Sequence, residues 1–320
     1  MTVRPSTENV PPSAGSSGPG SSLVQLEVGA LSHLGHHREN NEDHFYVAKF
    51  SRALQTITTS LPDGDVPAQV EEANYVMIVA DGMGGHAAGE VASRMAIATL
   101  IKLTLEVPDW ILRMDDGYRR EIVKRSRTRV QKIGAMLVEH GQRDPALKGM
   151  GTTLTLARTL GRDLMITHVG DSRAYLLRGQ QLHRLTRDHT YAQLLVDIGE
   201  LAPADVASSQ HRHVLTNALG GATEEVYVDT DRAVLEDGDR LLLCSDGLTD
   251  LVDDETILRL LRDAAGSKDA CQRLVQEALD CGGRDNVTVI VASFRLPAAA
   301  TPPTTRSPSV DSDTADIDPK

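Results

Sequence analysis

Apolar positions along this chain follow two rhythms. Short runs dense in Val, Ile, Leu and Thr predict strands at Val24–Ser32, His44–Ala48, Tyr75–Ala80, Thr152–Thr159, Asp163–Gly170, Ala174–Arg178, Arg240–Cys244 and Asn286–Phe294. Longer stretches repeat apolar residues three or four apart and predict helices. Gly89–Leu105 does so through Val91, Met95, Ala98 and Ile101, and Asp116–Glu139 through Ile122, Val130, Ile133 and Leu137. Further helices are expected at Tyr191–Ile198, Asp253–Ala264 and Lys268–Asp280. Strands grouped around two early and two late helices predict a layered sandwich of the α+β class. The stretch from Lys49 to Asn74, with its Ser, Thr, Pro, Gly and Asp, reads as a surface loop between two early strands.

The rhythm is absent at both ends. Residues 1–22 are rich in Ser, Gly and Pro, and residues 297–320 in Pro, Thr, Ser and Asp, so neither stretch can offset its ordering entropy. One domain over residues 23–296 between two disordered tails is expected. A chain of 320 residues with 40% hydrophobic content can bury a sizeable core. No run approaches the ~20 apolar residues of a membrane span, and the first 22 residues have no apolar centre of a secretory signal, which makes the cytoplasm the expected compartment. Cys244, Cys271 and Cys281 are odd in number and lack metal-ligand spacing, so reduced, buried thiols are expected rather than disulfides or zinc. The net charge is −12; Asp311, Asp313, Asp316 and Asp318 against Arg306 and Lys320 put −2 of it in the last stretch. The acidic remainder argues against nucleic-acid binding.

Acidic residues stand where apolar runs stop: Asp81 after Tyr75–Ala80, Asp171 after Leu164–Gly170, and Asp246 after Leu241–Ser245. Further acidic segments are Arg38 to Asp43, which includes Glu42, and Arg284 to Asn286, which includes Asp285; Gly151 to Thr153 lies between them in the chain. Any one Asp-Gly pair is an ordinary turn. Several carboxylates converging at strand ends are another matter, because burying unpaired charge costs several kcal/mol unless a cation joins them. Mg²⁺ or Mn²⁺ bound by oxygen ligands supplies that charge.

In this order the segments resemble the metal-dependent Ser/Thr protein phosphatases of type 2C, in their bacterial form, over about Gln25 to Phe294. The resemblance implies a four-layer α/β/β/α sandwich of two antiparallel sheets with a two-metal centre at one edge. It implies that Asp81 bridges two Mn²⁺ or Mg²⁺ ions with the Gly82 carbonyl beside it, that Asp246 and Asp285 complete one ion, and that Glu42 serves the second. It implies an outer role for Asp43; adjacent strand residues point to opposite faces, so Glu42 and Asp43 can both serve the site only directly plus through water, or where the strand is distorted. Asp171 matches a position contributing to a third, weaker ion. Arg38 is implied in gripping substrate phosphate, which suits a guanidinium fork, with a salt bridge to Glu39 or Glu42 as the structural alternative. His86, three residues beyond Met83, is the expected proton donor to the leaving oxygen; a metal-bound water, or a plain second-layer role for His86, are the alternatives. Residues 187–221 match the family's flap beside the metal centre.

The expected reaction is hydrolysis of phosphoserine and phosphothreonine in proteins by a monomeric enzyme opposing a Ser/Thr kinase. Two bridged ions neutralise the phosphate and bring a shared water toward a pKa of ~7, so no protein nucleophile is required. Rival readings are a silent phosphoprotein-binding pseudophosphatase and a phosphatase acting on a phosphorylated anti-sigma pathway regulator. The first predicts missing ligands, and none is missing. A P-loop at Gly84–Gly89 fails because Glu90 stands where Lys is needed. A cysteine-dependent phosphatase fails because Asp250, Glu277 and Val287 stand where its Arg would be. The His33, His36 and His37 group reads as solvated surface, and so do His211 and His213, with substrate contact as the alternative because both lie near the presumed site.

Overall fold

The computed structural model describes residues 24–62, 64–84, 88–106, 116–221 and 225–296. The expected tails and His86 lie outside the described residues. Strands are β1 (Gln25–His33), β2 (Asp43–Gln55), β3 (Gln69–Met83), β4 (Gly151–Thr152), β5 (Leu154–Leu160), β6 (Asp163–Val169), β7 (Arg173–Arg178), β8 (Gln181–Arg184), β9 (Leu219–Gly220), β10 (Asp229–Val234), β11 (Arg240–Cys244) and β12 (Val287–Arg295). Helices are α1 (Ala88–Glu106), α2 (Asp116–Arg143), α3 (Tyr191–Asp197), α4 (Asp246–Thr249), α5 (Asp254–Asp263) and α6 (Ser267–Asp280).

Among the described residues one antiparallel sheet runs β1-β12-β11-β7-β8 and the other β10-β6-β5-β3-β4-β9, with β2 added to β3. Side-chain alternation assigns the layers. Met77 and Val79 of β3 pack with Ala174, Leu176, Leu241, Leu243, Ile290 and Ala292 of the opposing sheet. Their neighbours Val76, Ile78 and Ala80 pack outward on Ala92 and Ala96 of α1 and on Ile133 and Leu137 of α2. Likewise Val287, Val289 and Val291 of β12 face Ile257, Leu261, Leu274 and Ala278 of α5 and α6. Three apolar interfaces between four layers follow from the period-two pattern on strands buried on both faces. Each fully buried Val, Leu or Ile contributes about 1.5–3 kcal/mol.

Helix ends follow local chemistry. The Asp253 carboxylate accepts from Thr256 N at 2.7 Å and starts α5, and Thr190 Oγ1 accepts from Gln193 N at 3.2 Å and starts α3. Glu27 Oε1 of β1 accepts from Ser267 N at 2.8 Å, tying the start of α6 to the sheet it covers.

The structure corrects three expectations. Residues 49–74 are mostly a hairpin: β2 and β3 stay paired from Asp43↔Asp81 to Gln55↔Gln69, and only the tip turns, closed by Thr56 N to Ala68 O at 2.9 Å. Polar residues hid these strand ends because the hairpin tip carries no core face; Ile57 is 83% exposed. The polar edge strand β10, Asp229–Val234, lacked the alternation needed to foresee it. Cys281 is exposed, at the turn that ends α6, whereas Cys244 and Cys271 are buried and all three are free thiols. No helix among the described residues is long and apolar enough to cross a membrane.

Candidate metal centre

Antiparallel pairing brings particular strand ends to one edge of the sandwich. Asp81 lies near the end of β3, Asp171 follows β6, Asp246 follows β11, Asp285 precedes β12, and Glu42 precedes β2. There they line a cleft of about 590 Å³ with Arg38, Gly82, Thr153, Arg212, His213, Asp250 and Arg284.

Backbone hydrogen bonds hold the floor. Asp81 N donates to Thr153 Oγ1 at 3.0 Å, Thr153 N donates to Asp81 O at 2.8 Å, and Thr152 Oγ1 donates to the same carbonyl at 2.8 Å. Gly82 N donates to Glu42 O at 3.1 Å, which Ser93 Oγ also reaches at 2.6 Å. Asn286 fastens the opposite wall: its Oδ1 accepts from Glu42 N at 2.8 Å, and its Nδ2 donates to Leu34 O at 2.9 Å and Asn40 O at 3.0 Å. The loop bearing Arg38 and Glu42 is thereby stitched to the start of β12 beside Asp285. Gly89 packs against Glu42 so closely that an added Cβ would lie 2.6 Å from Glu42 Oε2.

Expected residues separate into two groups. Arg38, Glu42, Asp81, Gly82, Asp171, Asp246 and Asp285 all reach the cleft. Asp43 stands behind it, 5% exposed, with Oδ2 accepting from Ser245 Oγ at 2.7 Å. Arg38 makes an ion pair with Asp285: Nη2 donates to Asp285 Oδ2 at 2.5 Å, and this bond raises the guanidinium pKa.

The carboxylates are held in an unfavourable state. Burial, and then the charges of Asp43, Asp246 and Asp171, push Asp81 well up; burial and then Asp246 do the same to Asp171. Burial and then Asp250 raise Asp246 to about 6. Asp43 Oδ1 and Asp246 Oδ1 are buried without a hydrogen-bond partner. A hard divalent cation among oxygen donors reverses each of these penalties, and the donor set fits Mn²⁺ or Mg²⁺.

Comparison with known proteins agrees. The model of the protein phosphatase 2C family matches residues 55–281. The chain belongs to the protein phosphatase 2C family. It is 41% identical over 233 residues to the serine/threonine protein phosphatase PstP of Mycobacterium tuberculosis, covering 72% of this chain and 43% of that relative. It is 32% identical over 279 residues to the protein phosphatase PhpP of Streptococcus pneumoniae, covering 84% of this chain and 98% of that relative. The crystal structure of the PstP catalytic domain in complex with two manganese ions superposes with a TM-score of 0.66 at 36% identity, over 85% of this chain and all of that one. The chain spans less than half the length of the PstP relative.

This phosphatase 2C domain also brings residues to its cleft that sequence reasoning did not assign. Asp250 lies four residues after Asp246, at the end of α4, so one helical turn puts both on one face; that spacing was the available signal. Burial holds Asp250 up to about 6. His213 Nδ1 lies 3.2 Å from Asp250 Oδ2, and Arg212 Nε donates to His213 Nε2 at 2.7 Å. Arg212 and Arg284 add positive charge; Arg284 opens the Arg284–Asn286 segment without an expected role of its own, and no local pattern marks Arg212.

Proposed function

We propose that this chain is a divalent-metal-dependent phosphoprotein phosphatase that hydrolyses phosphoserine and phosphothreonine. The observation that carries the reading is the convergence of Glu42, Asp81, Asp171, Asp246 and Asp285 on one cleft beside Arg38. Asp81, Gly82, Asp246 and Asp285 would hold one pair of ions together with Glu42, and Asp171 would serve a third; Mn²⁺ and Mg²⁺ both suit these oxygens. When bound, the ions supply Lewis acidity to the phosphate and to the attacking water.

The chain's own residues do the positioning. Arg38 spends Nη2 on Asp285 and keeps further N–H donors for phosphate oxygens, so one carboxylate orients the anion-binding fork. Among the described residues lining the cleft there is no Ser or Cys, and the Thr153 hydroxyl is engaged with Asp81 N and, at 2.8 Å, Ser172 Oγ. A water, made more acidic by the ions, is the nucleophile in this reading. Asn286 keeps Glu42 and Asp285 in register. His86 serves as proton donor to the leaving oxygen. The substrates are proteins phosphorylated by a Ser/Thr kinase, and the chain acts as a monomer in the cytoplasm.

The test is phosphate release from a phosphothreonine peptide with added Mn²⁺, repeated after EDTA and with Asp81→Asn. Release that needs metal and is lost in a folded Asp81→Asn protein is expected. Metal-independent release, or full activity in that variant, overturns the reading.

A further inference from the structure

We propose that His189 is a positioning residue: its ring clamps both ends of the segment 190–216 to Gly170 and so sets the aim of Asp171. The inference rests on the metal-dependent reading of Asp171 given above. His189 is nearly buried, with its side chain 10% exposed, and lies outside the cleft lining.

Its hydrogen bonds define one tautomer. Nδ1 accepts from Gly170 N at 3.1 Å and from Asn217 Nδ2 at 2.8 Å, so it carries no proton, and Nε2–H donates to Asp229 Oδ2 at 3.0 Å. The backbone repeats the link: His189 N donates to Gly170 O at 2.8 Å, and Thr216 N donates to His189 O at 2.9 Å. Thr190 and Leu215 pair as an antiparallel bridge just inside these bonds. One residue thus closes a segment that carries Arg212, His213 and Leu215 into the cleft. His168 braces the clamp from below. Its ring stands 4.9 Å from His189, and burial pushes its pKa down to about 4, leaving it neutral with Nε2–H donating to Arg187 O at 3.1 Å.

Gly170 passes the constraint on. It adopts φ +109°, and a Cβ there would sit 2.6 Å from Thr153 Cβ, so Gly170 is wedged against the residue that fixes Asp81 N. Losing the Nδ1 acceptor frees Gly170 N–H and with it the neighbouring Asp171 carboxylate. A merely structural histidine would affect stability; a positioning one affects metal binding and turnover.

The test compares His189→Phe, which keeps the ring shape without the acceptor, with His189→Asn, whose amide oxygen takes the place of Nδ1. Mn²⁺ affinity by calorimetry, Mn²⁺ for half-maximal activation, kcat and KM on a phosphothreonine peptide, and Tm are read for each. His189→Phe is expected to lose about 10–100-fold in kcat and to need several-fold more Mn²⁺, and His189→Asn to recover most of both. Parental kcat and Mn²⁺ affinity in His189→Phe, even with a lowered Tm, or equal impairment of the two variants, overturns the proposal. If His189→Phe does not fold, Asn217→Ala and Asp229→Ala each remove one contact from the ring; unchanged Mn²⁺ affinity in both overturns it, weakened affinity supports it. A parent protein that releases no phosphate with Mn²⁺ defeats the hydrolase reading instead, while the calorimetric comparison still decides His189.

Discussion

Asp43 and Asp81 stand opposite each other in the β2–β3 ladder, yet Asp81 reaches the cleft while the Asp43 carboxylate is buried behind it on Ser245 Oγ. Ser245 in turn accepts from Thr288 N at 3.0 Å, so Asp43 joins the two sheets where Asp246 begins α4. Burial raises Asp43 to about 7. Its charge is favourable only with cations in front of it.

Asp43→Asn therefore removes a charge that the metal-free fold resists. The expected outcome is a Tm in EDTA no lower than the parent's, with Mn²⁺ affinity reduced about tenfold or more in a calorimetric titration. Unchanged affinity would remove Asp43 from the metal centre's support.

Arg38→Ala is expected to raise KM for a phosphothreonine peptide about tenfold while leaving Mn²⁺ affinity unchanged or tighter, because Asp285 loses a competing cation at 2.5 Å. Arg38→Lys keeps the charge but not the fork and should fall between. A parental KM in the alanine variant, measured in steady state, would take Arg38 out of phosphate binding.

The acids make the stability of the stripped protein pH-dependent. Burial first, with neighbouring acids, holds Asp43 at about 7 and Asp246 at about 6. Between about pH 4 and those values the folded chain binds more protons than the unfolded one, so stability falls as pH rises through that window. His168, lowered to about 4, contributes in the opposite sense, losing stability as pH falls below ~6.5. It does not line the cleft, so the difference between Mn²⁺ and EDTA melting curves cancels it. That difference in Tm is expected to grow between about pH 5 and pH 7.5 as protons stop competing with the cation. A constant difference contradicts the cation role of these carboxylates.

The core strands were legible because β3, β11 and β12 are apolar on both faces, and the ligand positions because Asp81 and Asp246 interrupt such runs. What was hidden had no periodic signal. The outer half of the β2–β3 hairpin and the edge strand β10 bury too little to alternate. Arg212 comes to the cleft through the closure of a long segment at His189, together with His213, which the sequence already placed near the site; Thr153 supports Asp81 because β4 and β5 break there, and neither Arg212 nor Thr153 is encoded in local spacing.

Gly89→Ala probes the packing that places Glu42. Gly89 lies in the first turn of α1, where alanine is no worse a helix former than glycine, but its Cβ would meet Glu42 Oε2 at 2.6 Å and Gly82 C at 2.8 Å. Loss of Mn²⁺-activated turnover by about tenfold or more, with the helical circular dichroism retained, is expected. Parental turnover would mean that Glu42 is free to relocate without effect.

The central claim is that the acidic edge of the sandwich is a cation site that drives hydrolysis. A calorimetric titration of the metal-stripped chain with Mn²⁺, beside the same titration of Asp246→Asn, tests it most directly. The account predicts about two or more ions per parent chain and the loss of at least one in the folded variant. No binding by the folded parent, or identical stoichiometry and affinity in Asp246→Asn, would contradict it.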